Sequence, residues 1–62
     1  MKLTSHQCWF SHKAVIGKRA TWQRKIVKDV VVSPNGNAYA LVFEDGTIYD
    51  MTSYDSVDIF PL

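Results

Sequence analysis

The chain has no acidic side chain before Asp29 and no lysine or arginine after Lys28. All seven basic residues therefore precede all six acidic ones, and a net charge of only +1 conceals one half at +7 and another at −6. Two outcomes are open at this level. Folding either interleaves the halves, so that opposite charges cancel across neighbouring strands, or leaves a bipolar surface with one pole for a partner. A single cysteine, Cys8, excludes an intramolecular disulfide, and small secreted domains usually depend on several, so a reducing, cytoplasmic setting is expected. The longest apolar run is Ala38 to Phe43, far below the roughly 20 residues that span a bilayer, so no membrane partner is expected. Polar Thr4, Ser5, His6 and Gln7 interrupt any signal-peptide core at its start.

Glycine is scarce as well. Gly17, Gly36 and Gly46 each stand alone, which leaves no glycine-rich loop to cradle a phosphate. Metal chemistry has few candidates: His6, Cys8 and His12 lie close together, but a structural zinc site takes four ligands at paired spacing. The same residues lack anything to orient a base beside the thiol or to form an oxyanion site. Asp50, Asp55 and Asp58 sit among polar turn residues rather than in an evident cleft, so an acid/base pair is not indicated. The reading is a non-enzymatic chain without cofactor, metal or catalytic residue.

What is present is β-forming. Sixty-two residues make one domain that buries only about 60% of its unfolded surface. Two tryptophans, three tyrosines and three phenylalanines supply a large burial per residue. Four valines and an isoleucine between Ile26 and Ser33 favour a strand, because β-branched side chains fit a pleated surface. Pro34-Asn35-Gly36-Asn37 is a hairpin signal, Ala38 to Phe43 alternates small and large side chains, and Glu44-Asp45-Gly46-Thr47 is a second hairpin turn. A strand from Ile48 to Met51 or Thr52 follows, then a 3₁₀ or single helical turn over Thr52 to Ser56, then a last strand from Val57 to Phe60 closed by Pro61. In the first half, Trp9-Phe10 predicts a strand over Leu3 to Phe10, and Ala14 to Gly17 a second extended piece. Ala20 to Lys28 either starts the long strand early or makes one helical turn. The expected core is Ile26, Val30, Val32, Leu41, Phe43, Ile48, Val57 and Ile59 with one or both tryptophans.

This order resembles the SH3-like small barrels, and over residues 20–60 the Tudor-like domains among them. Val42-Phe43-Glu44-Asp45-Gly46-Thr47-Ile48-Tyr49 is similar to the Phe-x-Asp-x-Gly stretch at a Tudor turn, although the aromatic often found between the Asp and Gly positions is missing here. The resemblance implies an all-β, five-stranded, partly open barrel with a short 3₁₀ turn before the last strand. It also implies an aromatic cage for a methylated cation, for which Phe43, Tyr49 and Trp22 are the available rings. Ser33-Pro34-Asn35-Gly36 with Asp45-Gly46-Thr47-Ile48 also looks like a β-propeller blade, but a lone blade cannot bury its faces.

Two binding surfaces follow from the charge. Glu44, Asp45, Asp50, Asp55 and Asp58 are the candidate acidic face of a protein-binding adaptor or inhibitor. Such a face, on a phage or mobile-element protein, competes for the basic channel of a host nucleic-acid enzyme. The alternative is a nucleic-acid-binding module using Lys18, Arg19, Trp22, Arg24 and Lys25, four cations around one indole. Unpaired edge strands also offer a route to a homodimer or to strand addition by a partner.

Overall fold

The computed structural model describes residues 1–61. The expected strand over Leu3 to Phe10 stops at Thr4. Strand β1 covers Lys2–Thr4, and helix α1 follows over Ser5–Phe10. A capping box decides the switch. The Thr4 hydroxyl accepts the Gln7 N–H at 3.2 Å, and the Gln7 side-chain oxygen accepts the Thr4 N–H at 2.9 Å. That reciprocal pair outweighs the β-preference of Trp9 and Phe10. Ser5 and Cys8, three apart, then turn inward with helical rather than strand spacing.

The second extended piece is also corrected. Helix α2 is one turn, His12–Val15, and it ends through Gly17 at φ +85°, a left-handed conformation that glycine adopts without a Cβ clash. Strand β2 is only Arg19–Ala20, and β3 runs Lys25–Val32. Residues 21–24 between them are a turn, neither an early strand nor a helix. Strands β4 (Tyr39–Phe43), β5 (Ile48–Met51) and β6 (Ser56–Phe60) lie where the hairpin signals put them. In the second hairpin the Phe43 carbonyl accepts the Gly46 N–H at 3.0 Å, with Gly46 at φ +88°. Between β5 and β6, the Asp55 N–H closes onto the Thr52 carbonyl at 3.2 Å, a single turn rather than a 3₁₀ run.

The fold is mostly β, with six strands in one antiparallel sheet of order β1-β6-β2-β3-β4-β5. Six strands replace the expected five because Lys2–Thr4 pairs with β6, Leu3 opposite Val57. The sheet is not closed by hydrogen bonds: β1 and β5 are its edges. It curls nonetheless, since Trp22 in the β2–β3 turn meets Tyr49 on β5, a strand three places away in the order.

One cluster forms the core: Cys8 and Val15 from the helices, Ala20, Val27, Val30, Leu41, Phe43, Met51, Val57 and Ile59 from the strands. Three expected core members differ, and of the two tryptophans only Trp9 packs against the core. The β3–β4 register shifts between Val27 and Asp29, a bulge at Lys28 that breaks strict alternation. Val27 and Val30 therefore face inward, and Ile26 is only half-buried. Val32 runs past the core at the end of β3, and Ile48 shares the outer face of β5, leaving them 61% and 52% exposed. Trp22 is 78% exposed, while Trp9 packs on the core's margin. No helix among the described residues is long and apolar enough to cross a membrane.

Candidate functional site

The turn joining β2 to β3 carries an unusual backbone. Thr21 has φ +67° and Arg24 φ +53°, the only non-glycine positive values among the described residues. For an L-residue the left-handed region is costly, and for β-branched Thr it is a genuine outlier. The surroundings impose it. Thr21 is buried, its N–H donates to the Asp58 carbonyl at 3.1 Å, and its own carbonyl accepts the Arg24 N–H at 3.1 Å. The Thr21 hydroxyl takes the Gln23 N–H at 3.2 Å, and the Arg19 guanidinium donates to the Arg24 carbonyl at 3.3 Å.

This scaffold puts Trp22 at the tip of the turn and in water. Its ring stands edge-on to Tyr49, 6.1 Å between centroids and 82° between planes. Arg24 stacks its guanidinium over Phe60 at 4.6 Å. Trp22, Tyr49, Arg24 and Phe60 thus come from the β2–β3 turn, β5 and β6, and Arg19 sits opposite Phe60 in the β2–β6 register.

The remaining cations are less available. Lys25 makes a 3.0 Å ion pair with Asp45, donates to the Thr47 hydroxyl at 3.1 Å, and lies 6.0 Å from the Phe43 ring. Lys18 is half-buried, and its backbone ties the α2 exit to β3 through the Val27 N–H at 2.9 Å. Of the three rings available for a methyl-cation cage, Phe43 is 4% exposed and belongs to the core. Trp22 and Tyr49 alone make a two-ring corner.

The candidate acidic residues are mostly engaged locally. Glu44 and Asp45 occupy the β4–β5 turn. The Asp45 carboxylate accepts the Thr47 hydroxyl at 2.6 Å and the Thr47 N–H at 2.9 Å. Those two bonds, hydroxyl first, together with Lys25 lower its pKa to about 2. Asp50 lies toward the other end of that hairpin, where it accepts from the Ser33 hydroxyl and the Asn35 amide and anchors the β3–β4 loop. Asp55 accepts the Thr52 N–H at 3.1 Å inside its own turn, and Asp58 pairs in register with Lys2. The structure spreads these five over two hairpin ends, a turn and β6, and it interleaves opposite charges at Lys25–Asp45 and Lys2–Asp58.

Other chemistry-bearing groups do not converge. Cys8 is fully buried, and desolvation pushes its thiol up to about 11, which keeps it protonated and unreactive. His12 hydrogen-bonds the Val30 carbonyl at 3.3 Å and leans on Trp9, which stacks on Tyr39 at 4.7 Å, while His6 meets the far side of this ladder edge-on. Among the described residues no three His, Cys, Asp or Glu side chains are placed to hold a metal ion. A shallow groove of about 420 Å³ between Ile16, Gly17, Val27, Lys28 and Glu44 opens widely to solvent and carries one charge of each sign.

Comparison with protein-family models, curated proteins and solved structures finds no match for this chain. The surface must therefore be read from its own chemistry. The contribution of Phe60 and the strain at Thr21 and Arg24 carry no composition signal: Phe60 reads simply as the end of a strand, and neither Thr nor Arg favours positive φ.

Proposed function

We propose that the chain is a small SH3-like domain acting as a non-enzymatic protein-binding adaptor or stoichiometric inhibitor, and that its partner docks on the Trp22 surface. The strand order β6-β2-β3-β4-β5 and the tight turn before β6 support the SH3-like reading, with β1 and the two short helices as additions. The observation that carries the function is Trp22 itself. A turn with two strained residues holds a large indole 78% exposed, although folding gains nothing from leaving it in water. Strain that a fold maintains around an exposed side chain points to use of that side chain. Trp, Tyr and Arg are also the side chains that dominate binding energy at protein interfaces.

Charge leaves few cations for a polyanion: Lys25 is paired with Asp45, so Arg19 and Arg24 are the cations of the basic segment that stand beside the indole. An affinity purification from the native host, run in parallel with wild type and Trp22→Ala, tests the reading. A stoichiometric protein partner that disappears with Trp22→Ala supports it, and a partner recovered equally by both overturns it.

Nucleic-acid binding is the second reading, favoured by Arg19 and Arg24 flanking the exposed indole. It demands stacking on Trp22 and an affinity that falls steeply with salt as counterions are reacquired. Titration of a single-stranded oligonucleotide at about 50 mM salt, followed by tryptophan fluorescence with Trp22→Phe as the control for Trp9, decides it. No binding under those conditions removes this reading.

A further inference from the structure

The two edges of the open sheet are not alike. At β1 the Thr4 N–H is taken by the Gln7 side chain, Lys2 carries a charge, and the strand runs at once into α1. These are the devices that blunt an edge. Strand β5, Ile48-Tyr49-Asp50-Met51, has no lysine, proline or bulge, and its one carboxylate is folded onto Ser33 and Asn35.

The register shows which backbone groups stay open. Phe43 and Thr47 form a hydrogen-bonded pair at the turn, with Phe43 N–H to Thr47 carbonyl at 2.9 Å. Antiparallel pairs alternate, so Leu41–Tyr49 and Tyr39–Met51 are the bonded pairs that follow, while Ile48 and Asp50 direct their N–H and C=O away from β4. Among the described residues nothing beyond β5 takes them up.

We propose that β5 is a dimerisation edge, at which two copies of this chain pair antiparallel with Ile48 of each opposite Asp50 of the other and the two Tyr49 side chains facing each other across the two-fold axis. Two open residues spaced two apart are self-complementary in this register. Each Ile48–Asp50 pair exchanges both of its bonds, which satisfies every open N–H and C=O of the strand. Of the two-residue slips, one sets Asp50 opposite Asp50 and the other sets Ile48 opposite Ile48, and each keeps only one of the two open residues paired within β5, while a one-residue slip points bonding groups at inward-facing ones. The contact is isologous, the form that closes as a dimer.

The side chains agree with this axis. Tyr49 falls at a non-bonded position, where facing Cβ atoms come within about 4.5–5.5 Å and aromatic pairs stabilise. Ile48, 52% exposed on the outer face, gains cover there, and each Trp22 lies edge-on beside the paired Tyr49 residues. Dimerisation by this route places two Trp22 turns about one axis. It stands independently of what those turns bind.

Sedimentation velocity of the full chain over a concentration series tests the proposal, with Ile48→Pro and Ile48→Lys as variants. Proline at position 48 removes an N–H that β4 does not use, so the internal ladder survives, and lysine charges the edge without touching the core. The expected result is a concentration-dependent dimer for wild type and monomers for both variants, with unchanged far-UV circular dichroism. Amide exchange on wild type gives a readout independent of any substitution: the Ile48 and Asp50 amides gain protection as concentration rises. A wild-type chain that stays monomeric throughout, a dimer undiminished in folded variants, or Ile48 and Asp50 amides whose exchange ignores concentration overturns the proposal.

Discussion

Arg24 lies with its guanidinium 4.6 Å above the Phe60 ring while its own backbone is held at φ +53°. A favourable stacking contact and an unfavourable backbone conformation thus meet in one residue. Truncation to alanine removes the contact, worth about 0.5–1 kcal/mol at an exposed site, and leaves the strain in place. Glycine loses the same contact but relieves a left-handed penalty of about 1–2 kcal/mol. Arg24→Gly is therefore expected to be more stable than Arg24→Ala by about 1 kcal/mol in urea denaturation, reversing the usual order of the two residues. An alanine variant as stable as the glycine one contradicts the strained turn.

Ser5 is fully buried at the start of α1, and among the described residues its hydroxyl has no hydrogen-bond partner. An unsatisfied buried hydroxyl costs about 1–3 kcal/mol, and alanine removes it without opening a large cavity. Ser5→Ala is expected to raise stability by about 1 kcal/mol, measured as a higher urea midpoint at unchanged slope. A loss of stability shows that the hydroxyl is satisfied in solution.

How much of this was legible beforehand depends on where the deciding interactions lie. The β3–β6 strands were readable because valine-rich runs and the Asn35-Gly36 and Asp45-Gly46 turns state their conformation locally. The start of α1 is written in the Thr4 and Gln7 capping pair, whereas the aromatic Trp9 and Phe10 locally favour a strand. The bulge at Lys28 was not readable: nothing at residues 25–32 marks it, and it moved the core from Ile26 to Val27. The candidate site divides in the same way. The basic segment around Trp22 was visible as composition, whereas the exposure of the indole follows from Thr21 docking onto β6, a tertiary contact that overrides local preference.

Asp45 gives stability a dependence on acid pH. Its pKa falls from 3.8 to about 2 on folding, so the native state binds its proton less tightly than the unfolded chain does. The sign follows: its stabilising contribution is complete above 3.8 and is lost as pH falls through about 2. Asp45→Asn removes this titration. The melting-temperature gap between wild type and variant is expected to be constant at neutral pH and to close across that acidic window. A gap that persists at the acid end contradicts the assignment.

Cys8 reports on the core. A buried thiol held near 11 is protonated at neutral pH and reacts only when the chain opens. Labelling with an aromatic disulfide reagent at mildly alkaline pH is expected to follow the rate or population of unfolding, accelerating with urea in step with circular dichroism. Rapid labelling of the native state contradicts the buried placement.

Whether the exposed indole of Trp22 is the binding centre is decided by the affinity of the purified partner for Trp22→Ala and for Asp55→Asn. A central aromatic anchor is worth about 2 kcal/mol or more, which is a loss of roughly 30-fold or greater in Kd. Trp22→Ala is expected to show that loss with native circular dichroism, and Asp55→Asn an affinity within about threefold of wild type. Unchanged affinity for Trp22→Ala, with the loss falling on Asp55→Asn instead, contradicts it.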